Sequence, residues 1–118
     1  MAADSLMVAL GHAFGDRDLL RTALTHRSFG APNNERLEFI GDGILNCVIG
    51  LALYRRFPDV AEGELTRMRA SLVRREALQR IAAAIGLAPH LRLGDSEIRG
   101  GGAGTPSMLA DTVEALIG

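Results

Sequence analysis

Cys47 is the only cysteine in the chain, so no disulfide can form within it and a cysteine-built zinc site is excluded. Set in Ile44-Leu45-Asn46-Cys47-Val48-Ile49, it reads as a small buried hydrophobe. Nowhere do about eighteen apolar residues follow one another, and residues 1–13 lack the basic start and cleavage site of a signal peptide, so the expectation is a soluble cytoplasmic chain with no membrane partner. An excess of one charge is also missing: the formal net charge is −1, whereas nucleic-acid-binding domains are usually basic. The glycine-rich run Gly100-Gly101-Gly102-Ala103-Gly104-Thr105-Pro106 has no Lys-Ser/Thr after it, which removes a phosphate-cradling loop and leaves a flexible connection. No β-hairpin signal and no internal repeat appears. What remains is a chain of 118 residues, 47% apolar, long enough for one domain that buries roughly two-thirds of its unfolded surface.

The pattern that is present is helical almost throughout. Asp4 or Ser5 can cap a first helix to about Ala13, and Asp16 a second to about His26. Gly30-Ala31-Pro32-Asn33 breaks the chain. A long helix follows from about Asn34 to Arg56, apolar nearly all round beyond Asp42, which marks it as the buried central helix. Phe57-Pro58 ends it. Residues 62–73 and 75–85 read as two more helices closed by Gly86, Pro89 to Gly94 as a connection, and Ser107 as the cap of a last helix. The expected fold class is all-α.

Into this apolar pattern the sequence plants acids. Positions three and four apart on a helix share a face, with Cβ atoms about 5–6 Å apart, so Glu35, Glu38 and Asp42 form one acidic stripe and Asp111 and Glu114 another. Glu38 stands among Leu37, Phe39 and Ile40, and Asp111 among Leu109, Ala110 and Val113. Such neighbours weaken the reading of a solvated acidic face, because a carboxylate turned toward a core needs a partner. Two facing stripes would make a cage of oxygen ligands, which suits Mg²⁺ or Mn²⁺ rather than zinc.

The string Asn34-Glu35-Arg36-Leu37-Glu38-Phe39-Ile40-Gly41-Asp42-Gly43-Ile44-Leu45 resembles the signature of the ribonuclease III family, with Ile40 where that signature has leucine. Ala23-Leu24-Thr25-His26-Arg27-Ser28, Phe57-Pro58, Glu62 to Ala70, Leu91-Arg92-Leu93-Gly94 and Ala110-Asp111-Thr112-Val113-Glu114-Ala115 agree with the family's endonuclease domain, in its order, over essentially all of residues 1–118. The resemblance implies that domain's helical fold and a Mg²⁺-dependent endoribonuclease acting on double-stranded RNA, in maturation of ribosomal RNA and decay of messengers. It implies metal ligation by Glu38, Asp111 and Glu114, a role for Asp42 in positioning water or a ligand, and Glu114 as a direct catalytic residue. Paired ions about 3.5–4 Å apart would activate water and stabilise the leaving oxygen.

The resemblance also implies a homodimer whose two sites cut opposite strands, leaving 5′ phosphates and short 3′ overhangs. Phe39 resembles the family's aromatic that enters the partner subunit; on its own pattern it reads equally as a core residue. Glu35 and Glu62 are candidates for RNA or outer-shell contacts, with compensation of the helix N-terminus as the other reading of Glu35. Arg67, Arg69, Arg74, Arg75 and Arg80 are either a solvated surface or a phosphate-binding set. His26, Arg27 and Asn34 are further contact candidates, His26 more in the manner of a structural hydrogen-bonding residue. Ala103-Gly104-Thr105 stands where many bacterial relatives carry a basic pair and an aromatic. Gly118 lies a turn beyond Glu114, where the family's helix continues and a double-stranded-RNA-binding domain usually follows. The alternative is a non-catalytic dimerisation or RNA-binding module of the same fold, or an inactive fragment.

Overall fold

The structure, a computed structural model, describes residues 2–100 and 104–118. They form α1 (Ala2–Leu10), α2 (Arg17–Ala23), α3 (Glu35–Arg56), α4 (Glu62–Val73), α5 (Arg75–Ala84), α6 (Asp95–Arg99) and α7 (Pro106–Ile117), with 3-10 turns at Arg27–Phe29 and Ala88–His90. No strand forms among the described residues; one isolated parallel bridge joins Thr25 to Arg92. The fold is all-α, as the sequence pattern requires.

Local chemistry explains most boundaries. Asp16 caps α2, its carboxylate accepting the Leu19 N–H at 3.0 Å. That helix ends at Ala23 rather than near His26 because tertiary bonds take over: Arg92 N–H donates to Leu24 O at 2.8 Å and His26 N–H to Arg92 O at 2.9 Å. Helix α1 begins at Ala2, so Asp4 sits in its first turn instead of capping it, and Gly11 at φ 67° stops it short of Ala13. Helices α4 and α5 fall where the pattern puts them. The cap of α7 is Thr105, not Ser107: the Thr105 hydroxyl accepts the Met108 N–H at 3.2 Å and Pro106 occupies the first helical position. Helix α6 occupies residues read as loop. Residues 101–103 of the glycine-rich run lie outside the described residues.

Small side chains decide which helix is central. Helix α7 buries Ala110, Thr112, Val113 and Ala115 and packs against α2, α3 and α5. The apolar core joins Leu6 of α1, Leu20 and Leu24, Leu78 and Ala82 of α5, Leu87, and Ala110 and Val113. Helix α3, expected to be the buried centre, buries only Gly41 and Leu53. Its outer face leaves Phe39, Ile40, Ile44, Val48, Leu51 and Tyr54 exposed. Cys47 is likewise exposed rather than buried. The apolar composition of α3 does not translate into burial: among the described residues none covers this outer face. By length and composition α3 would pass for a membrane span; its packing on α4 and α7, and the carboxylates it carries, tie it into this fold.

Candidate metal centre

Gly41 sets how closely α3 and α7 approach. Its Cα lies against the Glu114 backbone carbonyl, with no room for a Cβ between them. Gly41 stands between Glu38 and Asp42 in sequence, so the contact that presses the backbones together also presents both acids to α7. Carboxylate oxygens of Glu38, Asp111 and Glu114 all lie within 4.8 Å of one another. Asp42 and Glu114, one helical turn further along α3 and α7, share a hydrogen bond between their carboxyls. The two stripes read from helical spacing therefore do face each other.

The cluster is electrostatically unsatisfied. Burial pushes the Glu114 carboxyl up to about 8, helped by the hydrogen bond to Asp42 and the charges of Asp42, Glu38 and Asp111. Burial also raises Glu38 above the ordinary carboxylate range, with Asp111, Glu35 and Asp42 adding repulsion and Arg27 opposing it. Among the described residues no ion pair reaches Glu38, Asp42, Asp111 or Glu114. Three half-buried carboxylates with no ion pair among the described residues form the donor set a hard divalent cation fits.

Glu38 and Asp111 open onto a cleft of about 300 Å³ whose walls also carry His26, Arg27, Glu97 and Ser107. Glu35 lies at its edge, 3.9 Å from Arg27. His26 is held rather than free: its Nδ1 accepts the Ser28 N–H at 3.1 Å and lies 2.7 Å from Ser28 Oγ. Ser28 Oγ in turn accepts the Gly94 N–H at 2.9 Å, which docks the start of α6 and sets Glu97 in the wall. Glu97 escaped the sequence reading because five helical residues before a glycine run give no periodic signal. Asn34, weighed as an RNA contact, is instead buried and bonded inside the protein.

Other candidates stand elsewhere. Glu62 lines a separate groove of about 420 Å³ between α3 and α4, together with Cys47, Tyr54 and Arg69, and does not reach the cluster within this chain. The arginines form no single patch: Arg67 pairs with Glu64 at 2.7 Å, Arg74 with Glu76 at 3.6 Å, and Arg69 turns into the α3–α4 groove.

Residues 16–118 match a protein family described as Ribonuclease-III-like. The chain is 57% identical over 118 residues to Ribonuclease 3 of Dechloromonas aromatica, covering 100% of this chain and 53% of that protein. It is 55% identical over 113 residues to Ribonuclease 3 of Aromatoleum aromaticum, covering 96% and 50%. It thus spans about half the length of the curated relatives it matches. Among solved structures, a nuclease domain of ribonuclease III from Campylobacter jejuni, described as flexible in a region involved in dimer formation, superposes with a TM-score of 0.91 at 41% identity, covering 95% of this chain and 79% of that one. Dicer from Pichia stipitis superposes with a TM-score of 0.69 at 30% identity, covering 89% and 45%.

Proposed function

The chain belongs to the ribonuclease III family, and from that premise we propose that residues 1–118 are the endonuclease domain of a cytoplasmic enzyme that hydrolyses double-stranded RNA to 5′-phosphate and 3′-hydroxyl ends. Precursors of ribosomal RNA and messengers are its substrates, and Mg²⁺, replaceable by Mn²⁺, is its metal. The observation that carries the reading is the convergence of Glu38, Asp111 and Glu114 within 4.8 Å.

Glu38, Asp111 and Glu114 would hold the metal. A divalent cation held there would supply positive charge to the phosphate and the leaving oxygen and lower the pKa of a water ligand. Asp42 accepts the hydrogen bond of the Glu114 carboxyl and fixes its orientation, so the pair holds a proton at neutral pH until it is displaced. Asp42 and Glu114 are the catalytic carboxyls of this scheme. Arg27, Ser107 and the imidazole of His26 offer donors to a phosphate entering the cleft. Glu35 is placed to touch RNA or outer-shell water at the cleft edge, and Glu62 to touch RNA from the α3–α4 side. An A-form duplex, read by its shape, phosphates and 2′-hydroxyls, is the substrate such a shallow polar cleft suits.

The same reading assigns the uncovered face of α3 to a second copy of the chain. Phe39 is 81% exposed and Tyr54 70% exposed, a contiguous apolar surface of the kind that marks an interface. A two-fold axis would bring identical faces together and place the partner beside Glu38. A non-catalytic module would have no need of four acids, and this chain both keeps them and gathers them.

Incubation of a long, fully paired RNA with the protein in Mg²⁺, beside Glu114→Ala and a sample in Ca²⁺, tests the proposal. Short products with 5′ phosphates from the unaltered protein in Mg²⁺ alone are expected. Equal cleavage by Glu114→Ala would sink it.

A further inference from the structure

Two residues outside the acidic cluster are hydrogen-bonded to each other between its two halves. Asn34 stands immediately before α3, at its N-cap position, yet its side chain caps nothing; Asn33 Oδ1 instead accepts the Glu35 N–H at 3.2 Å. Relieved of capping, the Asn34 amide turns inward. It is 4% exposed, and its Nδ2 donates to Ala23 O at 3.1 Å and to Thr112 Oγ1 at 3.4 Å, across 78 positions of sequence. Its backbone is equally engaged: the N–H donates to Thr25 O at 2.9 Å, and the carbonyl accepts the Glu38 N–H at 2.9 Å.

Donor and acceptor roles fix the orientation without ambiguity. Thr112 spends its one hydroxyl hydrogen on Met108 O at 2.7 Å, so toward Asn34 its oxygen can only accept. Ala23 O can only accept as well. The group between them must therefore carry two hydrogens, which an amide does and a carboxylate of the same shape does not. One end of Asn34 thus grips the backbone of Glu38, and the other grips the neighbour of Asp111.

We propose that Asn34 and Thr112 are positioning residues of the metal centre: their buried hydrogen bond sets Glu38 and Asp111 at metal-binding separation. The inference rests on the metal-centre reading above and deepens it. Neither residue touches metal or RNA. Each works by fixing the register of α3 against α7.

The test is calorimetric titration of the full chain with Mn²⁺, with melting temperatures alongside, run on the unaltered protein and on Thr112→Val, Thr112→Ser, Asn34→Asp, Glu38→Gln and Leu6→Val. Valine keeps the shape of threonine and removes both the acceptor toward Asn34 and the donor to Met108 O; serine restores both; Leu6→Val lowers stability through the core without touching the cluster. Thr112→Val should bind Mn²⁺ about fivefold more weakly, the size of one lost hydrogen bond. Thr112→Ser should stay within about twofold of the unaltered protein, and Leu6→Val should be unchanged. Asn34→Asp, which faces two acceptors with a third, should lose more than Thr112→Val in both melting temperature and affinity. Thr112→Val binding like the unaltered protein, or Leu6→Val losing as much affinity, overturns the positioning role alone. Unaltered protein binding no better than Glu38→Gln overturns the metal centre and the positioning role together.

Discussion

Gly41 presents a bare Cα to the backbone carbonyl of Glu114, and a methyl group placed there would occupy the position of that oxygen. The obstacle is main chain on both sides, so no side-chain rotation relieves it. Gly41→Ala must push α3 away from α7 and separate Glu38 and Asp42 from Asp111 and Glu114. We expect a loss of about 2–3 kcal/mol from overpacking, read as a melting midpoint lower by roughly 10 °C, together with loss of Mn²⁺ binding by calorimetry. A Gly41→Ala protein with normal stability and normal metal affinity would show that the contact does not set the site.

The Glu114 carboxyl, pushed up to about 8, makes the metal-free protein sensitive to alkali. Its folded-state value lies above the ordinary one near 4.5, so between these limits the folded state holds more protons than the unfolded state. That contribution to stability is complete below about pH 4.5 and is lost as pH rises through about 8. Glu114→Gln, which stays neutral, should flatten this limb of the stability profile in urea titrations from pH 5 to 9. Metal binding at pH 7 should also release about one proton per site, since a ligating carboxyl must ionise; calorimetry in buffers of different ionisation enthalpy measures it. A proton count of zero would contradict the raised value.

The acidic cluster was legible in the sequence because it depends on local geometry twice over. Spacings of four between Glu38 and Asp42, and of three between Asp111 and Glu114, put each pair on one helical face whatever the rest of the chain does. The approach of the two faces depends on Gly41, whose meaning appears only once Glu114 is known to lie against it. Asn34 and Thr112 were opaque for the same reason: their bond spans 78 positions, so Asn34 read as a candidate RNA contact and Thr112 carried no signal at all. Thr105 was locally readable, since Pro106 after it marks the first helical position and so names the residue before it as cap. Burial of α3 misled because apolar content all round a helix carries no information on whether other helices of the same chain pack over it, and Val48 and Leu51 stay exposed.

Phe39 separates folding from assembly. At 81% exposure it packs little within its own chain, so Phe39→Ala should change the stability of the monomer by less than about 0.5 kcal/mol. Lost burial against a partner is a different matter, and a central aromatic anchor is where interface energy concentrates. Sedimentation equilibrium should show a dimer for the unaltered protein and a dissociation constant raised at least tenfold for Phe39→Ala. Val48→Glu, placing a charge on the same face, should give monomer throughout. Dimers of unaltered strength from both variants would move the interface off α3.

Cys47 offers a check on that interface that needs no substitution. Its thiol is exposed on α3 beside Val48, and it shares the α3–α4 groove with Tyr54 and Arg69. In dilute protein, where monomer dominates, an aromatic disulfide reagent should modify it at the rate of an accessible thiol, because the reaction needs a thiolate and an open path to it, and only the path changes on pairing. As concentration rises through the dissociation constant measured by sedimentation, the pairing of α3 faces should shield the groove and slow the modification in proportion to the dimer fraction. Val48→Glu should remove this concentration dependence and leave the fast rate at every concentration. A rate independent of concentration in the unaltered protein, measured while sedimentation reports dimer, would mean that the partner sits elsewhere and that a second copy of this chain does not cover the apolar face of α3.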